Sequence, residues 1–264
     1  MNRGYTIGIL QARTSSTRLP GKVLKPLIGE PMITRQLERI GRAQKLDRIV
    51  VATSDDPSDD ALAMVVVDAG YDLVRGPLDD VLGRFIRVLD EYQPDVVVRM
   101  TADCPLISPA VIDHIVEAFD ASDVDYASNT MVPTYPDGLD VEVVIAGALR
   151  SVAAESSDTH EHEHVTLGVY RRPEQFKTLN VSDPTGADHS DLRWTVDSAD
   201  DFAFVEQIYT ELYPANPIFE YADILSFVAR NPQLNRTTAD AKRNAALDGL
   251  DTGVMQHGST RERT

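Results

Sequence analysis

The first half of this chain alternates short β-branched runs with stretches of helical apolar spacing, and that alternation limits the fold more than any other feature. Tyr5–Leu10 is an apolar run that ends in a polar loop marked by Gly and Pro. Thr34–Arg42 carries apolar residues at helical spacing. Arg48–Thr53 (RIVVAT) reads as a strand, Pro57–Ala69 as a helix with Pro near its start, and Tyr71–Arg75 as a strand. Leu78–Tyr92 then reads as a helix and Val96–Met100 as a strand. Ser108 is an N-cap for Pro109–Ala121, with Pro at the first helical position. Strands separated by helices pair through crossovers, so the pattern predicts an α/β fold with a mostly parallel sheet.

The second half changes character. Asp140–Ile145 (DVEVVI) and Leu192–Val196 are strand-like, Phe176–Asn180 is extended and Val165–Tyr170 is mixed. Ser198–Tyr213 and Glu220–Ala229 read as helices. The expectation is one domain over residues 1–236, with a small β-rich insertion at about 128–190. From about Asn235 apolar content falls, and 237–264 is expected to be a poorly structured tail.

Composition excludes several functions. With 42% hydrophobic and 25% charged residues in 264, the chain has the makings of an ordered core. Its 42 acidic against 25 basic residues give a formal charge of −17. That field repels nucleic-acid phosphates and anionic membrane surfaces alike. One cysteine, Cys104, leaves no internal disulfide framework and no multi-thiolate zinc site. The N-terminal apolar run is too short for a signal peptide, and no run of about 18 apolar residues is present, so a cytoplasmic protein is expected. Asp outnumbers Glu 29 to 13 and Arg outnumbers Lys 20 to 5. This texture suits a high-salt cytoplasm or a GC-rich genome, and bears on habitat rather than chemistry.

Gln11–Lys22 (QARTSSTRLPGK) is the most informative segment. It follows the first strand and gathers Arg13, Arg18 and Lys22 with hydroxyl residues and Gly21. In open α/β sheets ligands lie beyond the carboxyl ends of strands, and cations with free backbone N–H groups suit a polyphosphate. The pattern G-x-x-x-x-G-K-[ST] is absent, so this is no Walker A loop. The plainer reading is a basic surface loop. Arg99–Pro109 (RMTADCPLISP) places Asp103 past another strand end. A carboxylate beside polyphosphate is repelled unless a divalent cation separates them; otherwise Asp103 is a turn former. Cys104 lacks an activating His and reads as a packing residue. Leu192–Asp201 (LRWTVDSADD) puts Asp197 at a strand terminus, with Asp200 and Asp201 in the first turn of a helix as structural acids.

Tyr135–Val143 (YPDGLDVEV) makes a turn and then alternates Asp140 and Glu142 on one strand face, to bind sugar hydroxyls or to meet solvent. His160–His164 (HEHEH) satisfies H-E-x-x-H, but no third ligand accompanies it and apolar β-branched residues follow. Glu163 and His164 read better at a strand mouth, lining a substrate cleft. Arg171 and Arg172, close by in sequence, are candidate cations for an acidic acceptor.

Together these segments resemble the spore coat polysaccharide biosynthesis protein F family, relatives of the 3-deoxy-manno-octulosonate and acylneuraminate cytidylyltransferases. Ala12–Leu24 resembles the signature A-R-x-x-S-x-R-L-P-G-K-x-L. The second segment is similar to T-G-D-C-P-L-I-D-P, with Ala102 and Ser108 as departures, and Arg75–Phe85 is similar to R-G-x-x-x-D-V-L-x-R-F. YPDGLDVEV, EHVT and RWTVDSADDF match in order, so the resemblance covers about residues 5–236. It implies a Rossmann-like nucleotidyltransferase fold, with a mostly parallel mixed sheet. It implies CTP as donor, a sugar or acidic sugar as acceptor, Mg²⁺ as cofactor, and a homodimer. By this resemblance Ala12, Arg13, Ser16, Arg18 and Lys22 hold the nucleotide, with Arg84 in support. Asp103 and Asp197 hold the metal, and Arg13 and Lys22 join them as catalytic residues. Asp140, Glu142, Glu163 and His164 are candidates for the acceptor. A relative using another nucleotide, and a non-catalytic nucleotide- or sugar-binding protein, remain the alternatives.

Overall fold

The structure is a computed structural model that describes residues 4–239 and Arg243. The expected tail, 237–264, lies outside the described residues apart from 237–239 and Arg243. The strands are β1 (Thr6–Gln11), β2 (Pro26–Leu27), β3 (Glu30–Pro31), β4 (Arg48–Ser54), β5 (Asp72–Gly76), β6 (Val96–Thr101), β7 (Tyr126–Ser128), β8 (Glu142–Ile145) and β9 (Thr178–Asn180). The helices are α1 (Met32–Ile40), α2 (Asp60–Asp68), α3 (Val81–Tyr92), α4 (Pro109–Asp120), α5 (Ala146–Glu155), α6 (Thr159–Glu163), α7 (Leu167–Tyr170), α8 (Ala199–Leu212) and α9 (Tyr221–Arg230). In the described residues a seven-stranded sheet runs β5-β4-β1-β6-β8-β7-β9, and β2 and β3 form a separate two-stranded ribbon.

The alternation read from the sequence becomes the parallel half of this sheet. β1 pairs in parallel with β4 and β6, and β4 in parallel with β5. β8 is antiparallel to both β6 and β7, and β7 is parallel to β9, so the sheet is mixed but mostly parallel. β1 is buried along nearly its whole length because helices cover both faces. Ile7 and Ile9 pack with Phe85 and Val88 of α3 and Leu149 of α5 on one face. Leu10 packs on the other face with Ile33 of α1, Ile112 of α4 and Val205 of α8. Each of these fully buried apolar side chains contributes about 1.5–3 kcal/mol.

Helix starts follow their chemistry. Ser108 caps α4 through Val111 N–H, with Pro109 at the first position. Ser198 and Asp201 form a reciprocal capping box at α8. Residues 128–190 depart from the β-rich expectation: α5, α6 and α7 occupy more of that stretch than β8 and β9 do. Leu192–Val196 is extended but forms no strand. Its N–H groups go to different loops, Trp194 to Asp137 O (2.6 Å) and Val196 to Asp103 O (2.8 Å). One contact fixes α6 against the start of α3. The His162 ring nitrogens face Asp80 Oδ1 (2.8 Å) and Ser156 O (3.0 Å), both acceptors, while Asp80 caps α3 through Gly83 N–H. The bond to Asp80 and the Ser156 carbonyl raise His162 above its ordinary value despite the opposing effect of burial.

Two measurements test these local arguments. Gly138 has φ 112°, and a Cβ there would lie 2.8 Å from the Trp194 carbonyl carbon, so both the backbone and the space forbid a side chain. Gly138→Ala should lower unfolding free energy by about 2–4 kcal/mol in urea titration. Gly21→Ala, where φ is 67° but nothing lies within 4 Å, should cost only about 1–2 kcal/mol. For His162, the raised value means that the charged ring stabilises the fold below its unfolded value of about 6.5 and loses that effect as pH rises through the folded value. The melting-temperature gap between wild type and His162→Gln should therefore narrow from about pH 5.5 to about pH 8.5; a gap that widens would contradict the protonated contact.

Candidate active site

Three stretches of chain meet at the carboxyl ends of β1 and β6. Gln11 and Thr101 are register partners, so the loops 12–22 and 102–108 leave the sheet side by side. This is the point where successive connections diverge, β4 lying on one side of β1 and β6 on the other. The third stretch, 192–198, is stitched to both loops. Val196 N–H donates to Asp103 O, and Lys22 Nζ donates to Val196 O (2.6 Å) and Asp197 Oδ1 (3.0 Å).

The first loop is shaped from below by Asp59. Thr14 N–H and Oγ1 both donate to Asp59 Oδ1 at 2.7 Å, and the Ser54 hydroxyl donates to Asp59 Oδ2. Thr14 O in turn accepts from Ser16 N–H (2.8 Å) and Gly21 N–H (2.9 Å). Burial would raise the Asp59 carboxyl, but the Ser54 and Thr14 donors outweigh it and hold Asp59 below the usual carboxylate range. Asp59 sits in the acidic run DDPSDD, where nothing in the sequence distinguishes it from its neighbours.

A cavity of about 470 Å³ opens between the loops, and its lining includes Ala12, Arg13, Ser16, Arg18, Lys22, Asp103 and Asp197. The residues expected to hold phosphate and metal are thus brought to one place. Asp197 faces Arg18 Nη2 at 3.2 Å, Lys22 Nζ at 3.0 Å and Arg193 Nη2 at 3.0 Å. Arg193 is fixed by its other nitrogen on Asp201. Burial would raise Asp201, but the bonds from Arg193 and Ser198 bring it down to about 2. Burial likewise favours a neutral Asp103, yet the Lys22 charge and the Thr101 and Cys104 side chains hold its carboxyl below the usual range. Cys104 is buried and its thiol is pushed well up by burial and by Asp103, as suits a packing residue.

A smaller cavity of about 150 Å³ shares Gln11, Ala12 and Arg13 with the first and adds Val81, Arg84, Arg99, Glu163 and His164. Glu163 and His164 reach it from the end of the helical turn α6, not from a strand mouth. Burial lowers His164, with the Arg99 charge adding to it and Glu163 opposing, so the ring is held toward its neutral form. The H-E-x-x-H residues do form a helical turn, but Glu161 is engaged by Arg172 Nη2 at 2.8 Å. Arg171 pairs with Asp158 and Arg172 with Glu161, and neither lines the two cavities. Arg84 is buried, with Nη1 donating to the carbonyls of Pro77 (3.0 Å) and Leu78 (2.9 Å).

Asp140 and Glu142 line neither cavity. Asp140 is paired with Arg243. Glu142 is buried and binds Arg99, accepting also from Tyr126 Oη (2.7 Å) and Thr166 Oγ1. Asp137, in the same turn as Asp140, is pushed up to about 7 by burial and by the Asp140 charge. Arg99 itself escaped the sequence reading. Its signal is a lone charge in the strand VVVRM, which in a doubly covered sheet demands a buried partner.

Comparison with known proteins agrees with this geometry. The family profile described as cytidylyltransferase matches residues 7–180. An uncharacterized protein of Methanocaldococcus jannaschii is 33% identical over 241 residues, 90% of this chain and 96% of that protein. Spore coat polysaccharide biosynthesis protein SpsF of Bacillus subtilis is 30% identical over 229 residues, 85% of this chain and 94% of its own. The solved structure of a cytidylyltransferase from Leptospira borgpetersenii superposes with a TM-score of 0.82 at 26% identity, covering 88% of this chain and 97% of that one. The profile match spans well over half of the sequence, and the chain belongs to the cytidylyltransferase family.

Proposed function

We propose that this protein transfers the CMP group of CTP to a hydroxyl of a sugar or acidic sugar, releasing pyrophosphate, in the making of a surface polysaccharide or glycan. The observation that carries this reading is the 470 Å³ cavity in which Arg13, Arg18 and Lys22 face Asp103 and Asp197. In such a transfer the acceptor oxygen attacks the α-phosphorus in line with the departing pyrophosphate, and the enzyme's part is positioning and charge neutralisation. On this reading the reaction runs in the cytoplasm and the enzyme works as a homodimer.

The cations divide the work by mobility. The Lys22 side chain is only 11% exposed and is fixed on Val196 O, whereas that of Arg18 is 64% exposed and free to turn from Asp197 to a phosphate. Arg193 stays in place on Asp201 and keeps Asp197 oriented. Arg13 lines both cavities and sits where the triphosphate meets the acceptor. Lys22 and Arg13 offset the charge that grows on the leaving pyrophosphate.

The donor set suits Mg²⁺. Among the described residues no cluster of three or more His, Cys, Asp or Glu is arranged as a metal cage. Two carboxylates at the larger cavity, Asp103 and Asp197, are what an ion completed by water and substrate phosphates would require, and the Lys22 charge holds Asp103 below the usual carboxylate range. When bound there, Mg²⁺ neutralises phosphate oxygens and lowers the pKa of an oxygen that it touches.

The test is pyrophosphate release from CTP, Mg²⁺ and a panel of sugar and keto-acid acceptors, 3-deoxy-manno-octulosonate among them. Asp103→Asn should lower kcat by about 10²–10³-fold or more; full activity in that variant removes Asp103 from the metal site. In thermal-shift ranking with Mg²⁺, CTP should stabilise more than GTP, UTP or ATP, and an equal shift from another triphosphate would sink the choice of base.

A further inference from the structure

Arg99 is held from behind and left open in front. It stands on β6 between β1 and β8, in register with Glu142. Its Nε donates to Gln11 Oε1 (2.9 Å) and its Nη1 to Glu142. Glu142 takes two further hydrogen bonds, from Tyr126 and Thr166, so both oxygens of the carboxylate are tied and its direction is fixed. Nη2 of Arg99 has no hydrogen-bond partner among the described residues, and Arg99 lines the 150 Å³ cavity. A guanidinium fixed through Nε and Nη1 holds its third nitrogen, Nη2, in a set position, from which its N–H groups can donate to an oxygen of a carboxylate or phosphate.

The charge around it points the same way. Arg13 and Arg84 line the same cavity, and Arg84 Nε is buried without a partner. Glu163 is the one carboxylate among the lining residues, against three guanidinium groups. His164, held toward the neutral ring, adds hydrogen-bonding capacity and little charge. The cavity adjoins the phosphate site through Arg13 but is a third of its volume, about 150 against about 470 Å³. It fits one end of the second substrate. The cations expected for an acidic acceptor, Arg171 and Arg172, are turned to Asp158 and Glu161, which leaves Arg99 to do that work.

We propose that Arg99 is the specificity-determining residue for the acceptor, and that the acceptor carries a compact oxyanion, carboxylate or phosphate, which docks on Arg99 in this cavity. The proposal rests on the cytidylyl-transfer reading for the word acceptor, but the anion site is testable without turnover. The probes are 3-deoxy-manno-octulosonate as a sugar carboxylate, glucose 6-phosphate as a sugar phosphate, and glucose as a neutral control. Each is titrated by calorimetry into wild type, Arg99→Gln and the double variant Arg99→Gln/Glu142→Gln. The double variant removes both buried charges together, so it stays informative where the single change leaves Glu142 stranded. At least one anionic probe should bind wild type, glucose should not, and both variants should lose about tenfold or more in affinity. Carboxylate binding alone, or phosphate binding alone, identifies the group recognised. CTP affinity, measured alongside, should be unchanged in all three proteins. Failure of wild type to bind CTP would remove the transfer reading while leaving the anion result standing. Retention of anion binding in both variants, or binding of neither anion by wild type, overturns the proposal. With any acceptor that turns over, Arg99→Gln should raise its KM and leave the KM for CTP alone.

Discussion

The parallel pairing of β1 with β6 is the constraint on which the site depends. Because Gln11 and Thr101 are register partners, two loops nearly ninety residues apart in sequence begin side by side. A one-residue slip would exchange the two faces of β1, taking Ile7 and Ile9 from one core and Leu10 from the other, so the pairing is held by the packing of both faces. The loops inherit that precision. The third stretch, around Asp197, joins them through backbone and lysine contacts rather than through the sheet.

Electrostatics in this protein work by local inversion. The chain carries −17 overall, yet the larger cavity gathers Arg13, Arg18 and Lys22, with Arg193 behind Asp197. Buried ion pairs of this kind lose much of their attraction to desolvation, so their worth lies in orientation more than in stability. Arg193 between Asp197 and Asp201 is the clear instance: it is almost wholly buried and fixes the direction of a carboxylate that lines the larger cavity. Glu142 does the same for Arg99 from inside the sheet.

Much of this was legible in the sequence, for definite reasons. The strands β1, β4 and β6 show as β-branched runs because they are buried on both faces, and Ser108 and Ser198 mark helix starts because their hydroxyls satisfy free N–H groups. The loop cations and Asp103 could be found because they follow the ends of β1 and β6, and Asp197 because it follows an extended segment that reads locally as a strand. What stayed hidden depends on long-range partners. The extended segment at Leu192–Val196 looks like a strand locally, but its N–H groups go to several separate stretches, at Asp103, Asp137 and Arg236. Helices α6 and α7 are short, five and four residues, and gain their stability from packing on α3 and α5. Asp59 and Arg99 acquire meaning only through Thr14 and Glu142, 45 and 43 residues away.

The double fastening of the first loop has a consequence for the energetics of binding. Thr14 is pinned on Asp59 at one end and Lys22 on Val196 at the other. Backbone order that a flexible loop would acquire only on meeting its ligand, at about 1–2 kcal/mol per residue, is here established when the chain folds. Only the tip carrying Arg18 is left to settle. The free energy of contact with a triphosphate is then available as affinity and alignment, not consumed in immobilising the chain that provides it.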